Sequence, residues 1–247
     1  MATLVRHTSN RTDPSRWFYT GMGLVVALIT FLGFAPTYYL SGYVPRPTRA
    51  PELTAMFAVH GALFTAWIAF QVSQPWLIGR GRVALHKRLG WVGAGLASAV
   101  WIAGNLVSAH SMNGGYREMG DPHAFYAVTF FSMQAFAIIV ALAIWWRRDA
   151  ETHKRLMLLS NAAILEAAIG RLWFLPIDAA SAPWYFYLGA DFIVLAGVAF
   201  DLATRGRVHR VWWIGGGLLA ASQVLRVAVM HTEPWLAFAR SVAALVA

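Results

Sequence analysis

The sequence predicts an all-α fold: a seven-helix transmembrane bundle with a four-helix core (helices two to five) and a cytoplasmic N-terminus. Three observations predict it. Hydrophobic residues make up 58% of the 247-residue chain and charged residues 13%, about half the charged share of a soluble domain. The apolar residues fall into runs of about 20, the length that crosses a bilayer. Lys and Arg gather in alternate connections between those runs, as the positive-inside rule requires.

The runs are residues 17–40, 53–78, 89–108, 125–146, 156–175, 185–203 and 211–229. Pro, Gly or charge bounds them, as at Pro45, Pro47 and Pro51, at Gly79-Arg80-Gly81-Arg82 and at Gly114-Gly115. The first sixteen residues are polar, and the long run after them has no small-residue cleavage site, so it reads as a retained helix. The fifth run is the most polar, with Glu166 and Arg171 inside it. Residues 234–247 are too few to span and read as an interfacial tail. The whole of 1–247 is thus one integral membrane domain.

Orientation follows from the basic residues. Arg6, Arg11 and Arg16, then Arg80, Arg82, Lys87 and Arg88, then Arg147, Arg148, Lys154 and Arg155, then Arg205, Arg207 and Arg210 share one side if there are seven crossings. The other side has Arg46, Arg49, Arg117 and Arg240. The net charge of +9 is therefore a topology signal and not a nucleic-acid surface. The setting expected is the bilayer of a bacterial-type inner (plasma) membrane. With no cysteine, disulfides, thiolate metal sites and covalent c-type haem are excluded. The two lysines, Lys87 and Lys154, both fall on the basic side, so no last-helix lysine can carry retinal.

Ionisable residues inside the runs are Glu166, Arg171, Asp191 and Arg226. Each costs about 2.5–3.5 kcal/mol at the centre of a membrane helix unless it faces a partner. A Glu–Arg or Asp–Arg pair tying helices five to seven, or a ligand site, would meet that cost. Asp201 reads as interfacial, and His7 and His209 as solvated.

Four of the eight histidines form a pattern. His60 lies in the outer half of helix two and His123 opens helix four on the same side. His86 and His153 stand at the inner starts of helices three and five, each followed by Lys-Arg-Leu: Lys87 and Arg88, Lys154 and Arg155. A b-type haem in a helical bundle needs an imidazole on each face of its iron. Pairing His60 with His123, and His86 with His153, would hold one or two such haems. Lys87, Arg88, Lys154 and Arg155 would meet the inner propionates. Arg171, five turns beyond His153, would meet the outer ones. Gly90, Gly93, Ala97 and Gly104 continue the His86 face, leaving room for a porphyrin or, more simply, for a packed helix. A rival reading gathers His60, His110, His123, His231, Glu166 and Asp191 around Zn, Cu or non-haem Fe.

With His60 and His123 as one pair and His86 and His153 as the other, residues 52–176 resemble the haem-binding four-helix core of the cytochrome b561 family. That resemblance implies a bis-histidine electron-transport oxidoreductase, taking electrons from a quinol, another reductant or a redox partner protein. The spacing from His60 to Trp67, and the turn from Gly81 to Gly90, also resemble a broad group of bacterial multi-pass membrane proteins. The alternatives are a transporter or channel with a polar path through Glu166, Arg171, Asp191 and Arg226, and a non-catalytic assembly or scaffold protein.

Overall fold

A computed structural model of the chain describes residues 15–47, 52–114, 120–172 and 182–246. Arg6, His7, Arg11, Arg49, Pro51, Gly115, Arg117 and the end of the fifth run lie outside the described residues. Within them the helices are α1 (Ser15–Phe34), α2 (Ala55–Gly79), α3 (Val83–Gly114), α4 (Pro122–Trp145), α5 (Ala150–Ile169), α6 (Ala182–Arg205), α7 (Gly217–Val229) and α8 (Glu233–Leu245). No strand occurs among the described residues, which have only an isolated bridge between Ser41 and Val44.

Among the described residues, six helical segments are long and apolar enough to cross a membrane: Trp17–Tyr39, Ala55–Gly79, Val83–Gly114, Pro122–Trp145, Trp184–Arg205 and Trp212–Val229. The first and last contain wider, π-type turns, Ala35–Tyr39 after α1 and Trp212–Gly216 before α7. Pro36 has no N–H to continue the α ladder, which accounts for the change at the end of α1. Asp121 caps α4 by accepting from the His123 N–H at 2.9 Å, and Asp149 caps α5 through the Glu151 and Thr152 N–H groups.

The outer surface suits hydrocarbon. Leu24, Leu28, Ile102, Leu106, Ile138, Leu195, Leu218 and Leu225 all face outward. Indoles crowd one level of that surface: Trp17, Trp91, Trp145 and Trp213 are exposed near the basic connections. Arg80 lies over Trp76, Arg147 over Trp91 and Arg210 over Trp146, at 5.4, 6.0 and 5.3 Å. Such a belt marks where apolar ring and charged head straddle a membrane boundary.

α5 is different. Although its mean hydropathy falls short of a spanning helix, most of its side chains are buried, including Arg155, Ser160, Asn161 and Glu166. It packs against α1, α4 and α6 and runs from the basic end, where His153 meets His86, to the opposite end, where Ile169 meets Gly189. The polar residues that lower its hydropathy are the ones it hides.

Close contacts follow the small residues. Gly33 of α1 receives the Ala168 backbone of α5, and Gly197 of α6 receives the Trp212 ring. On α3, Gly93 takes the Phe70 ring and Gly104 the Met133 sulfur. The glycine stripe beyond His86 thus serves helix packing at these two positions, not a porphyrin face. α8 docks Trp235, Ala239 and Ala243 on the ends of α3 and α4, and the Trp235 Nε1–H donates to the His123 carbonyl at 2.9 Å.

Gly33→Leu should be among the most damaging small changes, since a backbone and not a side-chain tip fills the space. Overpacking typically costs about 1–3 kcal/mol, so denaturation in detergent should begin at markedly lower SDS fraction or temperature. Unchanged unfolding would contradict the α1–α5 contact.

Candidate functional site

The site is built outward from α5. At its basic end the Asp149 cap starts a helix whose first turn carries Glu151, Lys154 and Arg155. Arg155 is fully buried and grips Asp201 of α6 with two nitrogens, Nε to Oδ2 at 3.0 Å and Nη2 to Oδ1. Its Nη1 donates to the Glu151 carboxylate at 2.7 Å and carbonyl at 2.8 Å. Arg205 and Lys154 also pair with Glu151, and the His209 N–H donates to Asp201 at 3.1 Å. Arg155 is therefore a helix tie and is not turned toward a propionate. Asp201, expected at the interface, is completely buried as its partner. His209, expected in solvent, is half-buried on that knot, its Nδ1 accepting from the Val211 N–H.

At the other end Glu166 pairs with Arg226 of α7 at 3.0 Å, both buried. Arg226 also donates to Ser132 of α4 at 2.8 Å and to Ser222 at 3.1 Å, and lies over the Tyr187 ring. The Glu–Arg tie joins helices five and seven. Asp191 instead accepts from Gln223 at 3.3 Å, linking α6 to α7. Between the two ends, Asn161 accepts from Trp67 Nε1 and Gln71 Nε2 of α2, both at 3.3 Å. Gln71 donates as well to the Met157 carbonyl at 3.1 Å. These bonds join α2 to α5.

His86 and His153 come together. Their ring centres are 6.3 Å apart, with an angle of 71° between the planes. His153 Nδ1 lies 2.8 Å from the Ala143 carbonyl. A carbonyl only accepts, so Nδ1 carries the hydrogen and a neutral His153 keeps its lone pair on Nε2. His86 Nδ1 is buried without a hydrogen bond. Lys87 and Arg88, next to His86, are exposed. Lys154 stands 5.3 Å over the Tyr19 ring while bound to Glu151.

His60 and His123 make no ring contact with each other. His60 packs on Phe64, 4.3 Å between ring centres, and its Nδ1 is buried without a hydrogen bond. His123 belongs to the α4 cap: its Nδ1 is 3.1 Å from Asp121, and its carbonyl holds Trp235. Arg171 stacks on Phe34 at 4.8 Å and donates to the Ala167 carbonyl at 2.6 Å. Among the described residues no three His, Asp or Glu side chains assemble as a metal group, so the cluster of His60, His110, His123, His231, Glu166 and Asp191 does not form.

His60 borders a cavity of about 370 Å³ among α1, α2, α3, α4 and α5, whose lining includes Arg46, Glu52, Ile68 and Asn161. Glu166, Arg171 and Ser132 also line it. The π-type turn Ala35–Tyr39 supplies one wall. Gly61, beside His60, leaves room for the Tyr38 ring, and the Tyr39 hydroxyl bonds Thr65 at 2.8 Å. Sequence reading missed Tyr38, Thr37 and Asn161 as parts of this region. Asn161 had a signal, since it follows His153 by eight residues on the same helical face; the wall formed by the π-type turn had none.

Comparison with family models, with curated proteins and with solved structures finds no match.

Glu151 precedes the buried stretch of α5. Burial works to raise its carboxyl, but hydrogen bonds and charge from Lys154 and Arg155 outweigh this and hold its pKa down at about 2. A depressed carboxylate stabilises the fold above its ordinary value of 4.5, and that contribution fades as pH falls toward 2. Unfolding in detergent should therefore become easier between these limits. Glu151→Gln should be less stable at neutral pH and lose less on acidification; an equal acid response in both proteins would contradict the knot.

Proposed function

We propose that the chain is a b-type haem oxidoreductase of a bacterial-type plasma membrane, moving electrons from a quinol or other reductant across or within the bilayer. One haem is held between His86 and His153, in a core similar to that of the cytochrome b561 family. The meeting of these two imidazoles carries the reading. Their ring centres stand 6.3 Å apart at the starts of α3 and α5, so His86 and His153 are the residues that would hold the haem iron.

The donor set fits too. Two neutral imidazoles leave zinc short of the three or four protein ligands it usually takes, whereas a porphyrin brings four nitrogens of its own. The Ala143 carbonyl orients His153 as outer partners of metal-bound histidines do. Lys87 and Arg88 are the cations available to propionates; Lys154 is shared with Glu151, and Arg155 is committed to Asp201. Bound haem would supply a one-electron carrier, and the chain's part is to orient and shield it.

α5 is the seventh crossing in this reading, with the N-terminus cytoplasmic. Its buried charges, Arg155 and Glu166, are paired with Asp201 and Arg226, which offsets part of the cost of placing them in a membrane. Seven crossings also gather the four basic segments on one side, whereas six would divide them. A transport path is the second reading, favoured by the buried polar run Glu166, Asn161, Gln71 and Gln74.

Protein purified from haem-replete cells should be coloured, with reduced b-type bands that His86→Ala and His153→Ala each abolish while His123→Ala does not. A colourless protein without extractable haem would overturn the redox reading and leave transport. For the topology, a reporter that matures only outside the cytoplasm should be active when fused after Ala247. Activity of a cytoplasm-only reporter there would remove the seventh crossing or reverse the bundle.

A further inference from the structure

Two spaces meet at His60. On one side is the cavity of about 370 Å³ already described. On the other is a groove of about 330 Å³ between α2 and α3, bounded by Ala55, Met56, Val59, Ala103, Leu106 and Val107. His60 and Val107 border both. The groove is almost wholly apolar and includes Val59 and Leu106, which point out of the bundle. The cavity combines aromatic rings with hydrogen-bonding groups, two of which have no partner: Nδ1 of His60 and Oγ1 of Thr37 are both buried and unbonded. Leaving such a group unsatisfied costs about 1–3 kcal/mol, so a ligand that bonds both recovers it.

We propose that this pair of spaces binds a lipid-borne quinone or quinol, with the head ring in the cavity and the isoprenoid tail in the groove. Three features select that chemistry. Phe57, Phe64, Phe125 and Phe186 offer flat apolar surfaces for a ring. His60 and Thr37 can bond oxygens on that ring, whether carbonyl or hydroxyl. The volume lies within the range of small-molecule sites, about 300–1,000 Å³. The ligand must also reach the site sideways from hydrocarbon, and the groove lies on the α2–α3 face where Val59 and Leu106 are exposed. The assignment deepens the redox reading and rests on it for the use made of the quinone, but binding itself needs no haem.

Decyl-ubiquinone titrated into the purified full-length protein should quench tryptophan fluorescence saturably. His60→Leu and the nearly isosteric Thr37→Val should each weaken binding about tenfold, and His60→Gln should recover part of the loss. His86→Ala, which removes the haem site, should leave the affinity unchanged. Solvent extraction of protein purified from its own membrane should release quinone. Non-saturable quenching, affinity unchanged from the unmodified protein in the His60→Leu and Thr37→Val variants, or extraction of a phospholipid that decyl-ubiquinone does not displace would overturn the proposal, with or without haem bands. Binding that persists in a colourless protein would uphold the site and sink only the redox reading.

Discussion

Two buried ion pairs, Arg155 with Asp201 and Glu166 with Arg226, make α5 the axis on which the other helices depend. Breaking a buried pair from one side costs about 3–5 kcal/mol, because the surviving charge is stranded in a medium that cannot solvate it. α5 can therefore occupy only a position where α6 covers its basic end and α7 its opposite end. α4 reaches the Glu166–Arg226 pair through Ser132, and α2 reaches the middle of α5 through Trp67 and Gln71. The helix with the poorest hydropathy is the one with the most specific neighbours.

That arrangement also prepares the sites. The Asp149 cap and the Arg155 knot fix the first turn of α5, so His153 is held at a defined height with its Nδ1–H on the Ala143 carbonyl. His86 reaches it from the first turn of α3. At the other end, the approach of α1 at Gly33 and the π-type turn after it carry Tyr38 and Thr37 over α2, beside His60. Rigid packing around α5 thus leaves a histidine pair near one end and a cavity toward the other.

Much of this was legible in the sequence. The helical character, the six strongly apolar segments and the nearness of His86 to His153 follow from run length and from the repeated His-Lys-Arg-Leu. The Glu166–Arg226 tie was one of the pairings the intramembrane charges allowed. The uses of Arg155 and Asp201 were not legible. Each lies beside a basic turn and, by position alone, passes for an interfacial charge; only the approach of α6 to α5 turns them into a buried couple. His60 and His123 were expected to meet, yet one ring packs on Phe64 and the other is held by the Asp121 cap.

The sequence by itself determined the solvent, the helical class and the division of the chain into a basic and a less basic end, because these depend on local composition summed over about twenty residues at a time. Tertiary structure alone decided which polar side chains meet, which glycines receive a ring or a backbone, and that a cavity opens beside His60. Those outcomes depend on the rotation and depth of one helix against another, and a shift of a few ångströms would exchange one set of partners for the next.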